Sequence, residues 1–243
     1  MKVAIVGVGL IGGSIGLAAR TKLDAEVSGF DAEPGTLAKA REVGAIDHAA
    51  ESLAAAAAGA DAVFCAAPVD ALPAIVRAAL DASGEGALVS DVGSTKAGLV
   101  RSVAGHPGAA RFIGGHPLAG AETAGVENSR ADLFEGARWF LTPTRDSEGV
   151  LFDRLHSVVA GIGARPQAVE PAEHDRMMAT VSHLPHVLSN ALVSRAASTL
   201  TGGERRPEVS VDFNYHGSPP FSWAVGQRPA KHARRGDFVT GEG

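Results

Sequence analysis

Lys2-Val3-Ala4-Ile5-Val6-Gly7-Val8-Gly9-Leu10-Ile11-Gly12 stands at the start of the chain, and its reading decides the fold. Val3 to Val6 is a short apolar run rich in β-branched residues within the strand Lys2 to Val6, as a buried strand requires, and Ile11 to Lys22 is an alanine-rich stretch of helical length. Between them Gly7, Gly9 and Gly12 follow the spacing Gly-x-Gly-x-x-Gly, with Val8, Leu10 and Ile11 in the gaps. In a chain with 30 glycines the spacing alone carries little weight. Its place between a strand and a helix gives it force, because that is the context a dinucleotide-binding βαβ unit needs. Gly7 permits the tight turn, Gly9 lets a pyrophosphate approach the backbone, and Gly12 lets the helix pack close to the strand, so the diphosphate sits at the helix N-terminus. Nineteen residues past Gly12 a second strand ends at Asp31, a carboxylate placed to accept hydrogen bonds from the adenosine ribose hydroxyls. NAD is therefore expected rather than NADP. The plainer alternative is a tight turn whose Asp31 caps the next segment.

Outward from this unit the pattern repeats. The apolar runs Glu26 to Phe30, Ala62 to Ala66 and Ala87 to Asp91 alternate with helical stretches at Gly35 to Val43 and Val69 to Ala82. Strand and helix in alternation predict an α/β fold, a doubly wound parallel sheet whose continuous apolar strands are buried on both faces. Arg111 to Gly114 and Arg138 to Leu141 extend the sheet, with Trp139 and Phe140 in a buried strand; Gly149 to Ala160 adds a helix and Ala164 to Val169 a last extended segment. The alanine block Ala54 to Ala58 reads as a surface helix. The first domain is expected to span 1–170. From Pro171 apolar residues recur at spacings of three and four through Ala172 to Met178 and Leu188 to Leu200, which predicts a second, all-helical domain over 171–203. Over 204–243 proline and glycine accumulate without helical period, and no structure is expected there.

Composition narrows the function classes. With 45% hydrophobic and 20% charged residues in 243, the chain has the profile of a soluble globular protein, and its net charge of -5 contains no long run of one sign. Neither a nucleic-acid groove nor an anionic membrane surface is indicated, which leaves a small molecule as the expected partner. Cys65 is the one cysteine, set in an apolar run where it belongs to the core, so no internal disulfide can form and the cytoplasm is the expected compartment. The first apolar stretch is broken by glycine from Gly7 on, unlike a signal peptide or membrane span.

Four later segments fall where strands should end, on the carboxyl edge at which open α/β sheets bind ligands: Ala66-Ala67-Pro68-Val69, Asp91-Val92-Gly93-Ser94-Thr95-Lys96, Gly114-Gly115-His116-Pro117-Leu118-Ala119-Gly120-Ala121-Glu122 and Ser182-His183-Leu184-Pro185-His186. Ala67 and Pro68 are expected to add to the cofactor contacts of the glycine turn. Ser94 and Lys96 read equally well as capping and surface residues of a following helix. His183 and His186, three apart, would suit a metal only with a Cys or carboxylate cluster beside them; the sequence shows none at ligand spacing, and no metal is expected.

Taken in order from residue 1 to about 200, the glycine turn, the Asp-Val-Gly-Ser-x-Lys segment, Gly-Gly-His-Pro-Leu-Ala-Gly-x-Glu, Leu-Thr-Pro-Thr and Ser-His-Leu-Pro-His resemble the prephenate dehydrogenase family. The resemblance implies a Rossmann-type domain, a homodimer paired through the helical domain, and NAD-linked oxidative decarboxylation of prephenate to 4-hydroxyphenylpyruvate in tyrosine biosynthesis. By the same resemblance His116 is the base and hydrogen-bond partner of the substrate's C4 hydroxyl, Ser94 orients that hydroxyl or His116, His186 and His183 contact substrate at the start of the helical domain, and Glu122 organises the loop. A β-hydroxyacid dehydrogenase or imine reductase would share the glycine turn without both the Gly-Gly-His-Pro and Ser-His-Leu-Pro-His segments.

Two departures from the family stand out. Ala121 occupies a position where a hydroxyl residue is common, and the family's Phe-Arg/Lys-Asp-x-Thr-Arg element, whose last arginine receives a substrate carboxylate, is not legible over 204–243. A changed reading frame, a truncation or divergence would each give such a tail; the abrupt shift after Gly203 favours the first. Arogenate or amino-deoxyprephenate as substrate, and an inactive NAD-binding relic or regulatory protein, are the alternatives this leaves.

Overall fold

In the computed structural model, residues 1–121 and 123–200 are described, without the side chains of residues 34, 182, 183, 186 and 196–200. Strands and helices alternate as the periodicity predicts, with one short strand, β3, that it does not: β1 (Lys2–Val6), α1 (Leu10–Leu23), β2 (Glu26–Phe30), α2 (Pro34–Glu42), β3 (His48–Ala49), α3 (Leu53–Ala57), β4 (Ala62–Cys65), α4 (Leu72–Ala82), β5 (Leu88–Asp91), α5 (Ala97–Val103), β6 (Phe112–Pro117), β7 (Arg138–Thr142), α6 (Gly149–Gly161), β8 (Arg165–Ala168) and α7 (Pro171–Met178). A π-helical turn, Ala179–His183, and α8 (Leu184–Leu200) follow. Residues 1–183 form one compact unit, and α8 falls in a second. The tail, 204–243, lies outside the described residues.

The strands form one sheet in the order β3-β2-β1-β4-β5-β6-β7-β8. Order reverses at β1, which pairs with β2 on one side and β4 on the other, both parallel. The connections leave β1 in opposite directions there and open a crevice at the strands' carboxyl ends. The expected all-parallel sheet has one exception: β7 runs antiparallel to β6, with His116 opposite Phe140 and Pro117 opposite Trp139. Among its described residues the segment joining them, 118–137, contains no crossover helix to turn the chain round, and a parallel return requires a crossover, usually helical. β6 also runs to Pro117 rather than stopping at Gly114, because pairing with β7 continues beyond the end of β5.

Side chains alternate across the sheet and fill two cores. Val3, Ile5, Ala62, Phe64 and Leu88 face the layer holding α1 and α6, while Ala4, Val6, Val63, Cys65 and Val89 face α3, α4 and α5. In α4 the buried residues Leu72, Val76, Ala79 and Leu80 recur at the spacing of one helical face. Even the alanine helix α3 turns Ala56 and Ala57 fully inward, so only its other side is surface. Trp139 and Phe140 are buried, as is Cys65, whose thiol burial pushes to a higher pKa. No helix among the described residues is long and apolar enough to cross a membrane.

Candidate active site

The glycine turn sits at the switch point. Gly7 has φ 92°, a left-handed conformation that favours glycine, and a Cβ there would strike the carbonyl of Ala66 at the end of β4. At Gly12 a Cβ would be driven into the carbonyl oxygen of Gly7, so helix and turn meet backbone to backbone. Around Gly9, by contrast, nothing among the described residues lies within 4 Å of a Cβ position. The first turn of α1 carries no side-chain cap and no acidic residue, which leaves its N–H dipoles to an anion. Asp31 closes the other side: its Oδ2 accepts from the Val8 N–H at 2.8 Å and its Oδ1 from the Glu33 N–H at 3.0 Å. Each carboxylate oxygen retains a second lone-pair site for a ribose hydroxyl. These residues fit a dinucleotide with an unphosphorylated ribose, since a 2′-phosphate would be set against the Asp31 charge. Ala67 and Pro68 follow β4 beside the turn, joined through Ala66, whose N–H donates to Val6 O at 2.7 Å.

The segment after β6 crosses back to this turn. The Ser129 hydroxyl lies 3.4 Å from Gly9 O and 3.3 Å from Leu10 O, and the Ser14 hydroxyl accepts from the Arg130 N–H at 3.0 Å. The segment that follows the His116 strand is thereby tied to the start of α1.

Along the same edge, the end of β5 holds a charge pair with no exposed surface. Asp91 and Lys96 form a salt bridge with both side chains at 0% exposure, and Lys96 Nζ also donates to Gly115 O at 2.8 Å. Asp91 accepts from the N–H groups of Gly93 (2.7 Å) and Gly115 (3.1 Å). The expectation that Lys96 could be a surface residue is corrected here: the lysine chain runs through space left by glycine, 3.2 Å from where a Gly114 Cβ would stand. A Cβ on Gly115 would come within 2.5 Å of Asp91 O and 2.9 Å of Trp139 Nε1. The glycine pair before His116 is thus what lets the ion pair and Trp139 close around the strand. Burial pushes the Asp91 carboxyl up and the Lys96 ammonium down, each held back by the other's charge.

His116, half-buried, stands just past this clamp. Its Nδ1 lies 2.9 Å from Nε2 of His174 on α7, a fully buried ring. His174 Nδ1 in turn lies 2.9 Å from Asp175 Oδ1. The Asp175 carboxylate also accepts from the N–H groups of Lys96 (2.7 Å) and Ala97 (2.9 Å), capping α5. The His174 ring meets Phe140 edge-on at 5.6 Å between centroids. The sequence reading missed His174 and Asp175; their nearest signal was a buried-face histidine beside an acid in a helix of otherwise charged character. Ser94 is half-buried in the loop between β5 and α5, and among the described residues no hydrogen bond joins it to His116. Glu122 and the side chains of His183 and His186 lie outside the described residues.

Burial lowers the His174 pKa despite the Asp175 partner, while the bonds from His174 and the two N–H groups hold the Asp175 carboxyl below its ordinary range against the opposing effect of burial. Both groups bind protons more weakly folded than unfolded. The contribution of His174 to stability is complete above the ordinary imidazole value of 6.5 and is lost progressively as pH falls below it, whereas that of Asp175 persists down to the ordinary carboxyl value of 3.8 and is lost only below that. Urea midpoints should therefore decline between neutrality and pH 5, and less steeply for His174→Gln.

The comparisons with known proteins agree with this geometry. Residues 15–168 match the family model "Prephenate dehydrogenase, nucleotide-binding domain" and residues 170–212 match "Prephenate dehydrogenase, dimerization domain". The chain is 32% identical over 194 residues to the prephenate dehydrogenase of Bacillus subtilis (strain 168), covering 79% of this chain and 52% of that one. It thus spans about half the length of that relative. Among solved structures it is similar to Aquifex aeolicus prephenate dehydrogenase in complex with hydroxyphenyl propionate and NAD+, with TM-score 0.77 and 33% identity over 85% of this chain and 72% of that one. Synechocystis arogenate dehydrogenase gives TM-score 0.70 and 30% identity over 84% and 72%. With a nucleotide crevice built at the switch point and a histidine set past the end of β5 on the same edge, the chain belongs to the prephenate dehydrogenase family.

Proposed function

We propose that the chain oxidises and decarboxylates prephenate to 4-hydroxyphenylpyruvate, with NAD held by Gly7 to Gly12, Asp31, Ala67 and Pro68. The observation that carries this reading is the half-buried His116 on the same carboxyl edge as a nucleotide turn that fits NAD. NAD, when bound, supplies the acceptor for the C4 hydride. His116 takes the proton of the C4 hydroxyl as the hydride leaves, so the carbon becomes a carbonyl. Loss of the C1 carboxylate as CO2 returns its electron pair through the ring to that oxygen, and His116 gives the proton back to form the phenol. Aromatisation makes the sequence irreversible. Ser94 orients the hydroxyl or the imidazole, His183 and His186 contact substrate, and Glu122 organises the loop.

The domain limits that accompany this reading are a nucleotide-binding domain over 1–170 and a helical substrate and pairing domain from 171. Exposed Leu184, Leu188 and Leu192, four apart on α8, with Val187 beside them, support pairing of two chains as a homodimer, and the free, buried Cys65 accords with a cytoplasmic compartment. Arogenate is the second reading, favoured by the 30% identity to the Synechocystis arogenate dehydrogenase. Initial rates with prephenate and arogenate, each with NAD and NADP, test the assignment. Prephenate with NAD should give the highest kcat/KM; a higher value with arogenate would replace the substrate, and equal use of NADP would overturn the role of Asp31.

A further inference from the structure

We infer that His174, backed by Asp175, is a positioning residue that holds His116 with its proton on Nδ1 and its lone pair on Nε2. This rests on the proposed role of His116 for its consequence in turnover, although the tautomer itself can be read without any substrate. An ionised carboxylate only accepts, so the 2.9 Å contact to Asp175 Oδ1 requires the proton of His174 on Nδ1. A neutral His174 then has its lone pair on Nε2 and accepts at 2.9 Å from His116 Nδ1–H. His116 is left with Nε2 as its acceptor nitrogen, the protonation state a base must have.

The surroundings hold each link in place. Asp175 is fixed by the backbone N–H groups of Lys96 and Ala97, and His174 is fully buried with its ring against Phe140. Among the described residues, the charged groups that bear on His174 are Asp175 on its own helix and the Lys96–Asp91 pair from the β5 to α5 connection. Burial keeps His174 neutral near pH 7. Protonation would turn its Nε2 into a donor, and His116 would have to accept on Nδ1 and carry its proton on Nε2, the wrong nitrogen for taking a proton from substrate. The arrangement follows the logic by which a buried acid fixes the tautomer of a catalytic histidine, with a second imidazole interposed.

The experiment is 15N NMR of the full chain labelled at histidine, with His116→Ala used to assign the His116 resonances, alongside kinetics of His174→Gln and His174→Leu. The wild type should show His116 as the Nδ1–H tautomer. His174→Leu should move it towards Nε2–H and lower kcat about 10²-fold with KM and NAD affinity little changed. His174→Gln, whose amide oxygen can accept from His116 Nδ1–H, should retain the tautomer and recover most of the rate, with an acid limb of kcat altered because no second imidazole titrates. His116 found as Nε2–H in the wild type, or unmoved in His174→Leu, would overturn the inference. If His174→Leu does not fold, the wild-type spectrum and the His174→Gln pH profile decide alone. Correct tautomers in a wild type that turns over no prephenate would leave the inference standing and sink the substrate assignment instead.

Discussion

Replacement of Lys96 by methionine is expected to lower the free energy of unfolding by about 3–5 kcal/mol, the usual cost of removing one partner from a buried ion pair. Methionine fills most of the lysine's volume, so the loss comes from leaving the Asp91 carboxylate at 0% exposure with two backbone N–H donors and no countercharge. The Gly115 carbonyl loses its donor as well. A double replacement, Lys96→Met with Asp91→Leu, should cost less than the sum of the two single changes, since each single change strands a charge or a donor that the pair satisfies. Urea unfolding of the three variants measures this directly. A loss below about 1 kcal/mol for Lys96→Met would place the pair among interactions that contribute as little as exposed ones do.

His116→Ala carries the second large effect, a fall in kcat of about 10²–10⁴-fold from removing the group proposed to accept and return the proton. NAD affinity should not change, because the proposed nucleotide contacts come from the β1, β2 and β4 ends. That separation distinguishes loss of a base from collapse of the site. Exogenous imidazole should restore part of the rate, as the removed ring leaves a space lined by His174. Equal losses in rate and in NAD affinity would mean that His116 acts mainly through the structure of the strand end.

Much of this site was legible before the fold was known, and the reason is locality. Gly7, Gly9, Gly12 and Asp31 act within one βαβ unit, where spacing along the chain fixes spacing in the crevice. The strands were legible because alternate residues face two cores, as in Val3, Ile5 against Ala4, Val6. What was missed depends on contacts between distant segments. His174 lies 58 residues from His116 and meets it only because α7 returns along the sheet edge. Lys96 reads as a surface residue because lysine is almost never fully buried unless paired, and its partner Asp91 is hidden by the same glycines that looked like a turn. The antiparallel β7 carries the same apolar run as a parallel strand would, and only the lack of a crossover helix reveals its direction.

The central claim, that oxidation and decarboxylation occur together at His116 with NAD across the same edge, is tested most directly by product stoichiometry. The full chain saturated with NAD is mixed with prephenate, and NADH and CO2 are followed together. The expected result is one NADH for each CO2, at a rate lost in His116→Ala. NADH without CO2, or NAD binding with neither product, would contradict it.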